Sequence, residues 1–363
     1  MQSSKLMDGA RNLLNNCAEI DVQDRLLIIC EDPALGWYDE AAPAAVLTAA
    51  REIGLSPLRL SVGAPGNSPP EDATEAISAH DCIVYFARIG DQGRFGVAEP
   101  GQRRVMSYAR TGPALASRYG RTNHKALLAL KIAINDILLN ASTIEITCPL
   151  GTKLSGKPLQ QDGRAPEDVS IMRFPLSVPV PIPAEQFSGR IAVARYLTPT
   201  GSRVYEPAWL KIEKPVLAEI KSGRIVNFEG DRPSAAAIRR HHRRVAQQFS
   251  IDDDRIHSWH AGIHPGCYCD TTADEDPDLW SNTVFGNPRI LHFHTCGDYA
   301  PGEICWLLVD ATVCIDGKAL WHKGRLCTET FSRTNECVAN WPELGLLLDE
   351  PYGAIGLSET TVG

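Results

Sequence analysis

The chain has 363 residues, more than one compact core accommodates, so two domains are expected. With 44% hydrophobic and 22% charged residues it reads as an ordinary globular protein, and a net charge of −8 disfavours nucleic acid or an anionic membrane as partner. The opening Met-Gln-Ser-Ser-Lys lacks the apolar core of a secretion signal, the longest apolar stretch (Ala126 to Leu139) is too short for a bilayer, and the eleven cysteines read as reduced thiols of a cytoplasmic protein.

The first 140 residues alternate between short apolar runs and helical patterns. Strands are expected over 26–30, 58–62 and 82–86, with helices over 41–53, 71–78 and 124–139. Such alternation implies a parallel sheet covered on both faces. Neither a Gly-x-Gly-x-x-Gly turn nor a P-loop is present, so this doubly wound domain carries no nucleotide signature.

After residue 140 the texture changes. Thr143–Thr147 alternates with period two, prolines crowd 175–183, and strands are expected over 191–195, 217–221 and 224–228. The last two are joined by Ser222-Gly223 and read as a hairpin. One helix is expected over 234–249, then strands over 289–294, 304–309 and 312–315, with a turn at Asp316-Gly317. The expected fold is therefore α/β, with a doubly wound domain over 1–140 and a β-rich α+β domain over 141–363. The acidic run 274–278 reads as a solvated loop. The basic run 239–244 reads as a solvated helix face or a subunit contact.

Five of the ten histidines fall within forty residues, at His257, His260, His264, His292 and His294. Imidazole is the commonest side-chain metal ligand and titrates near neutral pH. His292 and His294 on one strand point to the same face, because side chains repeat every two residues. His260 and His264 have helical spacing, but Gly262 and Pro265 argue for a loop. Cys267, Cys269, Cys305 and Cys314 read as buried structural thiols, and Cys296 as a possible soft ligand. His257, Tyr268, Asp298 and Tyr299 are candidate proton carriers. Trp259, Trp280 and Trp306 flank the cluster, first as core and second as walls for a flat substrate. No Gly-x-Ser-x-Gly elbow is present, so serine hydrolase chemistry has no support.

Several segments come in a familiar order: Ile146-Thr-Cys-Pro-Leu-Gly-Thr-Lys-Leu154, the Pro-rich strand near Pro183, Glu219-Ile-Lys-Ser-Gly-Arg-Ile-Val-Asn-Phe228, a Gly-containing histidine loop, and Asp310-Ala-Thr-Val-Cys-Ile-Asp-Gly317. That order resembles the thermophilic M29 aminopeptidases and their relatives, the 2,5-dihydroxypyridine 5,6-dioxygenases. The resemblance implies a two-domain enzyme with metal bound in the C-terminal domain near the domain cleft, and a homo-oligomer. His260 falls where the peptidases carry Glu and the dioxygenases His. The His-x-Asp pair of both branches falls on Glu303 and Cys305, a departure from the pattern.

The expected ligand set is His260, one or both of His292 and His294, and Glu303. Two His and a carboxylate on one face suit a mononuclear iron(II) oxygenase. The leading expectation is a ring-opening dioxygenase of a small hydroxylated aromatic or N-heteroaromatic substrate, with His257, Asp298 or Tyr299 moving protons. The alternatives are a zinc, cobalt or manganese hydrolase of peptidase or amidase type, or a member that has lost its metal and serves as a binding protein.

Overall fold

A computed structural model describes residues 2–66, 68–94, 99–159, 170–200, 205–297 and 302–357. Its strands, in chain order, are β1 (Leu26–Glu31), β2 (Leu58–Val62), β3 (Cys82–Phe86), β4 (Arg103–Ser107), β5 (Ile144–Thr147), β6 (Lys153–Gly156), β7 (Met172–Phe174), β8 (Ile182–Pro183), β9 (Ser188–Pro199), β10 (Leu210–Lys221), β11 (Arg224–Gly230), β12 (Ile256–Ala261), β13 (Ile290–Cys296), β14 (Glu303–Val309), β15 (Thr312–Ile315), β16 (Lys318–His322) and β17 (Arg325–Leu326). The chain forms two compact units. One comprises Met1–Leu128, Asp168–Ser177 and Gly266–Tyr268; the other comprises Ala129–Glu167, Val178–Pro265 and Cys269–Gly363.

The first unit holds a five-stranded parallel sheet in the order β2-β1-β3-β4-β7. Every residue of β1 and β3 is buried, which is why these strands are continuous apolar runs without alternation. Helices Ala41–Glu52 and Glu71–Ser78 connect them, and Gln2–Arg11 precedes them. The sheet draws its last strand from residues 172–174, far along the chain.

The second unit is built on an antiparallel sheet in the order β17-β16-β15-β5-β6-β9-β14-β13-β12-β8, with β10 and β11 continuing from β9. The β10–β11 hairpin turns at Ser222 (φ 48°) and Gly223 (φ 73°), the two left-handed residues of a type I′ turn. β5 alternates buried and exposed, as a strand covered on one face does. β13 and β14 differ: all seven residues of each are buried. Helix Pro277–Val284 packs Trp280 and Val284 against Ile290, Cys305 and Leu307 on one face. On the other face His242, from helix Arg232–Phe249, bonds Trp306.

The acidic run is not simply a solvated loop. Asp276 caps the helix that follows, accepting from the backbone N–H of Asp278 and Leu279, and Asp278 is buried against Asn282. The basic run also divides. His241 and His242 are buried, while Arg239, Arg240 and Arg243 are exposed. All eleven cysteines are free thiols. Among the described residues no helix is long and apolar enough to cross a membrane.

Candidate metal centre

Strand register assembles the site. β12 and β13 run antiparallel with His260 opposite His292 and Ser258 opposite His294. Opposed residues project to the same face, and diagonal neighbours lie within reach of long or aromatic side chains. His260, His292 and His294 therefore share one small patch of sheet. Their ring centroids lie 3.9 Å (His260–His292), 4.9 Å (His292–His294) and 5.0 Å (His260–His294) apart. Each offers a ring nitrogen, and the three ligand atoms all lie within 4.8 Å of one another. All three are buried, at 3%, 4% and 8% exposure, so the nitrogens face each other and not bulk water.

The segment expected to be a loop is strand as far as Ala261, because its two breakers lie beyond the strand end. Gly262 is one of them. A Cβ there would stand 2.2 Å from the carbonyl oxygen of Asn287, so only glycine allows that approach. Its N–H donates to Ile290 O (2.9 Å) and its carbonyl accepts from Trp321 Nε1 (2.9 Å), which fixes the strand end that carries His260. His264 follows the strand, fully buried, its N–H donating to Gly286 O. It is not one of the three converging imidazoles.

Glu303 starts β14, opposite Cys296 and diagonal to His294. It is 2% exposed. Its Oε1 makes an ion-pair contact with His294 Nδ1, and its Oε2 accepts from Thr200 Oγ1. Tyr205 Oη donates to the Glu303 carbonyl (2.9 Å). Both carboxylate oxygens are thus engaged, and Glu303 stands outside the converging trio. Neither ring nitrogen of His294 has a well-aligned hydrogen bond among the described residues.

The donor set fits a divalent metal. Nitrogens around one ion at about 2.1 Å stand about 3 to 3.5 Å apart, so small side-chain rotations close the observed spacing. The sequence had no signal for Thr200, Tyr205 or Phe285. Phe285 meets His292 edge to face at 6.1 Å and directly follows the helix that covers this face.

The remaining candidates divide. His257 lies at a bulge in β12, where register shifts between Ile256 and Ser258, and its Nδ1 is 3.0 Å from Ser258 Oγ. Asp298 and Tyr299 lie outside the described residues. Cys296 continues the spacing of His292 and His294, but its φ of 65° breaks the alternation. Its thiol lies 3.3 Å from His242 Nδ1, and burial pushes its pKa up. Burial, with the nearby Glu303 charge, likewise pushes the Cys305 thiol well above its ordinary value. Cys267 and Tyr268 fall in the first unit. The three tryptophans are core: Trp259, Trp280 and Trp306 are at most 1% exposed.

No family profile and no curated protein matches the sequence. Solved structures do match. The 2,5-dihydroxypyridine dioxygenase from Pseudomonas putida KT2440 aligns with a TM-score of 0.60 at 13% identity, covering 92% of this chain and 99% of that one. AmpT from Thermus thermophilus aligns with a TM-score of 0.43 at 13% identity, covering 89% and 99%. This chain shares the dioxygenase's fold. The resemblance first read in the order of weak motifs is present in three dimensions.

Proposed function

We propose that the protein is a mononuclear non-haem iron(II) dioxygenase that opens the ring of a small hydroxylated aromatic or N-heteroaromatic compound. The observation that carries this reading is the convergence of His260, His292 and His294. Among the described residues they form the one group of three or more side chains able to hold a metal ion. That arrangement suits a single ion and not a two-metal peptidase. The fold shared with a 2,5-dihydroxypyridine dioxygenase supports the same choice.

Iron(II) held there supplies the one-electron chemistry by which O₂ reacts with an electron-rich ring. The chain's part is to hold and shield. His260, His292 and His294 would hold the ion. Phe285 and the apolar cluster containing Trp280, Val284, Cys305 and Leu307 keep water from this face. Ser258, opposite His294, connects His257 to the same face, so Ser258 Oγ can give its own proton to a group on that face as it takes one from His257 Nδ1. The reading carries with it a cytoplasmic homo-oligomer acting on a small molecule.

One observation favours a second reading. Three neutral imidazoles are also a ligand set of catalytic zinc, where a bound water becomes the nucleophile. A hydrolase using zinc, cobalt or manganese follows from that set. Metal analysis of protein purified without added metal, with oxygen uptake on hydroxylated pyridines and phenols, separates the two. About one iron per chain with uptake supports the dioxygenase. Zinc without uptake supports the hydrolase. No stoichiometric metal contradicts both and leaves a binding protein.

A further inference from the structure

We infer that Glu303 is not a metal ligand but the residue that positions one. Its carboxylate holds His294 by Nδ1 and turns Nε2 toward the ion, and Thr200 fixes the carboxylate in turn. The inference rests on the three histidines holding a metal, but not on which metal or which reaction.

Three observations carry it. First, the geometry is directional. Glu303 Oε1 contacts Nδ1 of His294, whose donor direction diverges from that of Nε2 across Cε1. A ligating imidazole commonly gives its second N–H to a carboxylate, which sets the tautomer and strengthens the donor nitrogen. Second, each carboxylate oxygen already has a protein partner. Oε2 accepts from Thr200 Oγ1, and the backbone is pinned by Tyr205 Oη on the Glu303 carbonyl. Third, the register puts Glu303 beside His294 alone, one strand further from His260. His260 lies across β13 on β12, while Glu303 lies on β14, with His294 between them. Glu303 therefore meets the edge of the trio through His294 and not through His260.

The electrostatics are consistent with a single buried negative charge kept one bond network away from the ion. A dication surrounded by neutral imidazoles in a dry site is costly. A carboxylate behind one ligand offsets part of that charge without occupying a coordination position. Thr200 keeps the carboxylate in one rotamer, so the orientation of His294 is set before metal arrives.

The test is metal affinity and coordination, with no turnover needed. Zinc and cobalt(II) affinities are measured by chelator competition for the wild-type protein, Glu303→Gln, Glu303→Ala, Thr200→Val and His294→Ala. X-ray absorption on the zinc-loaded proteins counts imidazole ligands. The expected result is one ion per chain in both Glu303 variants, an affinity about 10- to 100-fold weaker than wild type, and an unchanged imidazole count. Thr200→Val shifts affinity in the same direction by less. His294→Ala loses one imidazole. The inference is overturned if Glu303→Gln binds within about twofold of wild type, or if Glu303→Ala loses an oxygen ligand that the wild-type protein shows. Circular dichroism of the metal-free variants separates a folding defect from a binding defect, and Glu303→Gln keeps the side-chain shape should Glu303→Ala fail to fold. Iron without oxygen uptake would sink the dioxygenase reading and leave this inference standing.

Discussion

Two histidines on opposite faces of the same strands show how a structural imidazole differs from a ligand. His242 is 3% exposed and His294 is 8% exposed, so burial alone does not separate them. Their partners do. His242 accepts from Trp306 Nε1 (3.1 Å) on Nε2 and meets the Asp253 carbonyl (3.0 Å) at Nδ1, so both nitrogens are spoken for. His294 meets a carboxylate on Nδ1 and packs its ring against two other imidazoles. A buried polar atom without a partner is costly, and a fold that keeps one has a use for it.

The largest effect that sharpens this contrast is on metal binding. Replacing His260, His292 or His294 with Ala is expected to weaken metal affinity by more than about 100-fold, beyond the range of an outer-shell residue. Replacing His242 with Ala is expected to leave it within about threefold, as measured by chelator competition. If His242→Ala abolishes binding as well, the contrast between the faces is broken.

Stability of the metal-free protein runs the other way. His242→Ala leaves the Trp306 indole N–H without its acceptor and opens a cavity, and is expected to cost about 2 to 4 kcal/mol in denaturant unfolding. His292→Ala relieves a crowded trio and is expected to cost less. Metal is expected to stabilise the wild-type protein by about 2.7 kcal/mol when present at 100 times its dissociation constant. The same addition leaves the His260→Ala protein unshifted in a thermal melt.

The smallest effect is on pH. Burial pushes His242 down to about 4 and His241, with Arg244 beside it, down to about 3, from an ordinary 6.5. The unfolded chain then binds protons that the folded chain refuses. Stability is complete above about pH 6.5 and falls as pH drops from there toward 4, on the order of 1 to 3 kcal/mol for His242. His242→Gln is expected to flatten that slope in unfolding measured from pH 7 to 4.5.

Much of the fold was legible in the sequence. β2, β3 and the helices 71–78 and 124–139 appear at the residues expected, because continuous apolar runs and amphipathic spacing are local signals. The turns at Ser222-Gly223 and Asp316-Gly317 are local too. The helices Gln2–Arg11, Ser332–Asn340 and Pro342–Asp349, and the strands β4 and β7, were not anticipated. Helix Ser332–Asn340 is short and largely exposed, and β7 joins a sheet whose other strands end more than sixty residues earlier, so neither has a strong local pattern.

The site divides along the same line. That His292 and His294 share a face follows from the two-residue repeat of a strand. That His260 lies opposite His292, and that Glu303 reaches Nδ1 of His294, depends on the register between paired strands, which no local pattern fixes. Residue type pointed to Glu303 as a ligand. The neighbours of its two oxygens are the basis for inferring a positioning task instead.

The central claim is that imidazoles from β12 and β13 close on one cation. A crystal structure of protein loaded anaerobically with iron(II), read for anomalous scattering at the iron edge, tests it most directly. The account predicts one peak per chain, about 2.1 Å from a ring nitrogen of each of His260, His292 and His294. A peak elsewhere, or none with the three rings still packed against each other, would contradict it.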